Sequence, residues 1–148
     1  MKQFFHYQRL ALGLLMVLSL LPSVATAQIT QKLNQYRWVL TEIKDGQGKM
    51  TVQNEDAYLM FDRIQRSIGG NSACNSFGGS VRVKGKRVTI GPIVSTKMFC
   101  VDTADLEMRF LNALQSPLIY QLQGTKLIFT NPKNGHRLTF TQRPKGIK

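Results

Sequence analysis

Val81-Arg82-Val83-Lys84-Gly85-Lys86-Arg87-Val88-Thr89-Ile90 is the stretch that decides how this chain folds. Apolar Val81 and Val83 alternate with basic Arg82 and Lys84. After Gly85 the alternation resumes, with Val88 and Ile90 set against Arg87 and Thr89. Side chains on a strand point alternately to opposite faces, so this pattern describes two antiparallel strands with one apolar and one solvated face. Gly85 sits at the turn, and the hairpin extends over residues 77–93. A lone hairpin is not stable in water, so the rest of the chain must pair its edges and cover its apolar face.

The flanking sequence supplies partners. Residues 36–43 read as a strand, with Trp38, Leu40 and Glu42 on one face and Val39, Thr41 and Ile43 on the other. Asp45-Gly46-Gln47-Gly48 breaks it. Residues 57–62 and 63–69 read as two further strands, and Gly69-Gly70-Asn71 suits a tight turn or bulge. Residues 118–123, 126–130 and 137–142 complete the set, with turns at Gly124 and at Asn134-Gly135. Leu127-Ile128-Phe129-Thr130, Leu138-Thr139-Phe140-Thr141 and Leu59-Met60-Phe61-Asp62 share one pattern of Leu and Phe two residues apart, which a common inward face explains. The tail 143–148 is basic and expected to fray.

One helix is expected, over residues 102–115. Asp102 or Thr103 can cap it, and Asp105 and Glu107 lie where the macrodipole favours acids. Leu106, Phe110, Leu111 and Leu114 form a stripe at helical spacing, and Pro117 ends the helix. Seven or eight antiparallel strands with one helix make an α+β domain. The expected architecture is a strongly curved sheet, or partly open barrel, packed on the helix stripe.

The N-terminus reads as an export signal. Lys2 and Arg9 precede an apolar run over residues 10–21, Pro22 and Ser23 break it, and Ala25-Thr26-Ala27 suits a signal peptidase. The run is shorter than the roughly 20 residues that a membrane-spanning helix needs. Residues 1–27 are therefore expected to be removed, leaving one domain over 28–148. Gln28 stands where a lipoprotein would carry Cys, so a soluble periplasmic or secreted protein is expected.

Twenty Lys and Arg stand against eight Asp and Glu, and only Lys2 and Arg9 precede residue 28. That excess favours anionic partners. In the envelope these are lipopolysaccharide, anionic phospholipid or acidic wall polymers rather than nucleic acid.

The two cysteines, Cys74 and Cys100, are expected to form one disulfide, as is usual in a small exported domain. It would tie the turn entering the hairpin to the start of the helix. Closing about 26 residues stabilises by roughly 3–4 kcal/mol in the chain-entropy model. No spacing suits a metal, and no cofactor is expected. His136, the one histidine after residue 27, follows Gly135 in a turn, a poor place for a preorganised base. No catalytic residue is assigned, and the chain is expected not to be an enzyme.

The ordered series Trp38-Val39-Leu40, Leu59-Met60-Phe61-Asp62, Gly70 through Cys74-Asn75 to Gly79, Ser95-Thr96-Lys97-Met98-Phe99-Cys100, then Glu107 with Phe110 and Leu114, and Leu127-Ile128-Phe129 resembles the META-domain (HslJ-like) family. The resemblance spans about residues 33–142. It implies a small β-rich envelope domain, linked in relatives to heat shock and antibiotic tolerance, with no established enzymatic activity. It marks Asn75, Thr96, Met98 and Glu107 as structural motif residues. This chain departs from the family in having Ala73 where Gly commonly precedes the Cys-Asn pair, in lacking an aromatic near Ser80-Val81, and in lacking the lipoprotein Cys of some members.

The function expected from these readings is a monomeric, non-enzymatic envelope-stress protein that works by binding. One alternative is an anion-binding module using Arg82, Lys84, Lys86 and Arg87, joined by Arg63, Arg66 and Lys97, for phosphates such as those of lipopolysaccharide. Another is a carrier for a small apolar ligand inside the curved sheet.

Overall fold

The computed structural model describes residues 31–146. The expected signal peptide, its cleavage site and the last two residues lie outside them. The strands are β1 (Tyr36–Asp45), β2 (Gly48–Thr51), β3 (Ala57–Asp62), β4 (Ser67–Ser72), β5 (Ser76–Lys84), β6 (Arg87–Ile90), β7 (Val94–Ser95), β8 (Leu118–Gln123), β9 (Lys126–Thr130) and β10 (Arg137–Pro144). The helix α1 (Ala104–Leu114) follows a 3-10 turn at Val101–Thr103.

The sheet closes. Its order is β10-β9-β8-β6-β5-β4-β3-β1, and β10 pairs back on β1 from Tyr36↔Pro144 to Lys44↔Arg137. The expected partly open barrel is thus a closed antiparallel barrel of eight strands, with β2 and β7 as short additions. Closure removes the free edges that would otherwise pair with other chains. It also holds residues 143–145, the first part of the tail: β10 runs to Pro144, and Lys145 Nζ donates to Phe61 O at 3.3 Å.

An eight-stranded barrel is just wide enough for side chains to fill. Here Trp38, Leu40, Leu59, Leu127, Phe129, Leu138 and Phe140 fill it, each essentially inaccessible. The shared Leu/Phe pattern is the inward face of β3, β9 and β10, as expected. Rings run edge to face through the interior, Phe61 to Phe129 at 6.4 Å and Phe129 to Phe140 at 5.5 Å. Such packing sets side chains across the interior.

The helix closes one mouth. Phe110 inserts between Phe77 and Phe140, with ring centroids 5.6 and 5.9 Å away, and Leu114 is buried behind it. At the other mouth residues 32–35 are helical, Leu33 is buried, and Trp38 Nε1 donates to Leu33 O at 2.9 Å.

Local details depart from the sequence reading for identifiable reasons. The β1–β10 register shifts between Leu40 and Glu42. This bulge at Thr41 turns Glu42 outward and Ile43 inward, reversing the alternation expected there. Residues 63–66 form a turn rather than a strand, because Asp62 Oδ1 accepts the amides of Ile64 and Gln65, both at 2.9 Å. Gly69, Gly70 and Asn71 lie inside β4, paired on both sides, and form no turn. Thr103 occupies the N-cap of α1, yet neither it nor Asp102 caps the helix with its side chain.

Candidate interaction surfaces

Asn75 is the hub of the end closed by α1. Its side chain, 4% exposed, makes the four hydrogen bonds that a carboxamide can make. Oδ1 accepts from Thr96 Oγ1 at 2.8 Å and from Met98 N at 2.7 Å. Nδ2 donates to Met98 O and to Glu107 Oε2, both at 3.0 Å. The motif residues Asn75, Thr96, Met98 and Glu107 thus meet around one side chain.

The turn that delivers Asn75 is tight. Ser72 N and Ser72 Oγ both donate to Asn75 O, at 2.8 and 3.0 Å. Ala73 takes a positive φ of 80° to complete it. That region favours glycine, which gives a physical meaning to the family's usual Gly at this position.

The disulfide Cys74–Cys100 is present, with Cα atoms 6.0 Å apart. Residues 96–100 are therefore pinned at three points: Thr96 N to Ser76 O at 3.0 Å, Met98 to Asn75, and Cys100 to Cys74. What this clamp holds out is apolar. Phe99 is 86% exposed, and Val94, Met98 and Val101 are each more than half exposed. Met98 contributes only its backbone to the hub, so its side chain is free to join this surface.

The basic candidates divide. Arg82, Lys84 and Arg87 share the outer face of β5 and β6, where Lys84 pairs with Arg87, and Lys86 lies in their turn. Arg66 joins them, since its carbonyl accepts Val81 N at 2.8 Å. Arg63 stands in the same turn as Arg66. Lys97 does not belong to this group. It follows Thr96, which pairs with Ser76 at the opposite end of β5.

One buried ion pair went unread in the sequence. Arg109, on α1, donates from Nε and Nη2 to the two oxygens of Asp45 at 2.8 and 2.7 Å, and from Nη2 to Gly48 O at 3.0 Å. Burial alone would raise the Asp45 carboxyl. Hydrogen bonds from Arg109 and the Gln47 amide, with the charge of Arg109, outweigh it and hold the group below the usual carboxylate range. The hydrogen bonds that Arg109 donates to Asp45 in turn raise its guanidinium. The pair fastens α1 to the β1–β2 turn, a structural task.

His136 stands beside that turn, near Gly46. Among the described residues, no three His, Cys, Asp or Glu side chains come together to hold a metal ion. No helix among them is long and apolar enough to cross a membrane.

Residues 31–145 match the META domain family model. The chain belongs to the META domain family. Its solved relatives include a protein from Burkholderia xenovorans, 28% identical, with a TM-score of 0.63 over 77% of this chain and 86% of that one. A second NMR structure, 21% identical with a TM-score of 0.57, covers 75% of this chain and 92% of its own. A DUF4847 family protein from Bacteroides vulgatus, 13% identical, shares the fold with a TM-score of 0.58, over 80% of this chain and 99% of that one. Among curated proteins, none matches the chain.

Proposed function

We propose that this META-domain chain is a non-enzymatic interaction protein of the bacterial envelope, periplasmic after removal of residues 1–27, and that it supports tolerance of envelope stress. Its partner is a protein with an apolar groove, and residues 96–101 are the element that enters it.

The observation that carries this reading is the combination of rigidity and exposure. Exposed apolar clusters on soluble domains mark interaction sites. A flexible loop would lose conformational entropy on binding, whereas a clamped one has already lost it. Asn75 and the disulfide hold the backbone of residues 96–100, while Phe99 projects into solvent. An exposed aromatic on a fixed backbone is the type of residue that dominates binding energy at protein interfaces. The disulfide also suits an oxidising compartment.

The test is complementation. A strain lacking the gene should survive heat or a hydrophobic antibiotic less well than its parent, and the wild-type chain should restore it. Phe99→Ser combined with Val101→Ser should fail to restore it while accumulating to the same level. Full rescue by that variant, or unchanged survival of the deletion strain, would count against the proposal.

A further inference from the structure

The barrel mouth opposite α1 carries a ring of cations. Three turns open there: residues 63–66 between β3 and β4, residues 85–86 between β5 and β6, and residues 124–125 between β8 and β9. They bring exposed Arg63, Arg66, Lys84, Lys86 and Lys126 to one rim. Lys32 reaches the same rim, donating to Gly124 O at 3.0 Å, and Lys145 joins it over Phe61. The acid in these turns is Asp62, and its Oδ1 is engaged by two backbone amides. Asp45, Asp102, Asp105 and Glu107 lie at the far end, around α1. The cations of this rim thus stand beside a single acid, whereas those of the far end, Lys44, Lys133 and Arg137 among them, share it with four.

An apolar tip stands in the ring. Ile64 is 94% exposed, in the turn that Asp62 fixes, with Arg63 before it and Arg66 two residues after. Charge alone would suit any polyanion. A fully exposed isoleucine, held outward among cations by a fixed backbone, suits a surface that offers phosphate and hydrocarbon together.

We propose that this pole docks on an anionic phospholipid bilayer, the cations meeting lipid phosphates and Ile64 entering the headgroup boundary. Each cation close to such a surface contributes attraction that adds to the others and is screened by salt. The inference stands apart from the reading of residues 96–101, which occupy the opposite pole and would remain free to meet a partner.

The test is co-sedimentation of the mature chain, residues 28–148, with vesicles of phosphatidylcholine containing phosphatidylglycerol. Binding should be strong with the mixed vesicles, absent with phosphatidylcholine alone, and lost at high salt. Arg63→Ser, Lys84→Ser and Lys86→Ser together should weaken it at least about 30-fold. The matched triple Lys44→Ser, Lys133→Ser and Arg137→Ser, at the other end of the barrel, should weaken it far less. Ile64→Ser should weaken it about 5-fold, from the apolar area withdrawn from water. Ile64→Trp should bind and show a blue-shifted indole emission on vesicles. Thermal melts of each variant exclude misfolding as the cause. Equal losses from the two triples, no effect of Ile64→Ser, an unshifted indole emission from the Ile64→Trp variant, or binding to soluble polyphosphate but not to vesicles would each overturn the proposal.

Discussion

Asn75 and Met98 pair as two strands would, although only one of them contributes its backbone. The Asn75 carboxamide accepts from Met98 N at 2.7 Å and donates to Met98 O at 3.0 Å. A side chain thereby fixes both backbone polar groups of a residue whose own side chain points to solvent. The same carboxamide reaches Thr96 and Glu107, so one residue joins the β4–β5 turn, the loop after β7, and α1.

It follows that Asn75→Ala should destabilise the domain by about 3 kcal/mol, because it strands several partners that are largely shielded from water. Asn75→Asp should cost at least as much. It keeps the acceptor for Thr96 and Met98 N but sets an oxygen against Met98 O and a carboxylate against Glu107. Urea unfolding of the mature chain measures both. In either variant, limited proteolysis should cut first within residues 96–100. A loss below about 0.5 kcal/mol for both would refute the hub role.

Ala73 makes the opposite prediction. Its φ of 80° places a Cβ where left-handed backbone disfavours one. The penalty for an L-residue there is about 1–2 kcal/mol, offset in part by the greater freedom of glycine in the unfolded chain. Ala73→Gly should therefore stabilise by about 0.5–1 kcal/mol and raise the melting temperature by a few degrees. Calorimetry of the two proteins, each with its disulfide intact, decides it.

Asp45 and Arg109 carry a pH dependence. The folded state lowers the Asp45 carboxyl, so the unfolded chain takes up this proton more readily. The contribution is fully present above the unfolded value of about 3.9 and is lost as the pH falls through the lower folded value. Asp45→Asn leaves Arg109 buried without its counter-charge, and at neutral pH should cost about 3 kcal/mol. The stability gap between wild type and variant should stay constant from about pH 7 to about 5 and narrow below about 4. A gap that does not vary with acid would show that the pair contributes through packing alone.

How much was legible in the sequence depended on range. Strands β3, β8 and β9 were readable to the residue, because alternation such as Ala57, Leu59 and Phe61 depends only on which face is buried. The stripe of Phe110 and Leu114 was readable for the same reason. Barrel closure was not, since the β1–β10 pairing joins residues about a hundred positions apart and leaves no local mark. The Thr41 bulge depends on β10 and was equally hidden. Arg109 carries no local mark of burial, because its partner Asp45 lies in a turn 64 residues away. The motif around Asn75 was visible through family resemblance, but what Asn75 bonds to was not. The cations of the hairpin were conspicuous in sequence. Their union with Arg63 and Arg66 was expected from the sequence, whereas Lys97 lies elsewhere and the addition of Lys126 and Ile64 emerges only when three separate turns arrive at one rim.

Gly70 shows a role that its sequence context concealed. The pair Gly69-Gly70 suggested a turn, yet it sits mid-strand in β4, with Gly70 opposite Leu59 of β3 and Phe77 of β5. A Cβ at position 70 would collide with the Tyr58 carbonyl and press on Leu59 Cα at 2.9 Å. Both obstacles are backbone atoms of β3, which cannot withdraw without breaking the β3–β4 pairing. At Gly78, in contrast, a Cβ would lie 3.6 Å from Ile68 O, an ordinary contact. Gly70→Ala should therefore destabilise by about 2–3 kcal/mol through strain, as overpacking does. Gly78→Ala should be neutral or slightly stabilising, because it reduces the freedom of the unfolded chain. Chemical denaturation of the two single variants separates them. Similar stabilities would mean that β3 and β4 can spread apart, and that glycine at position 70 is not required by close approach.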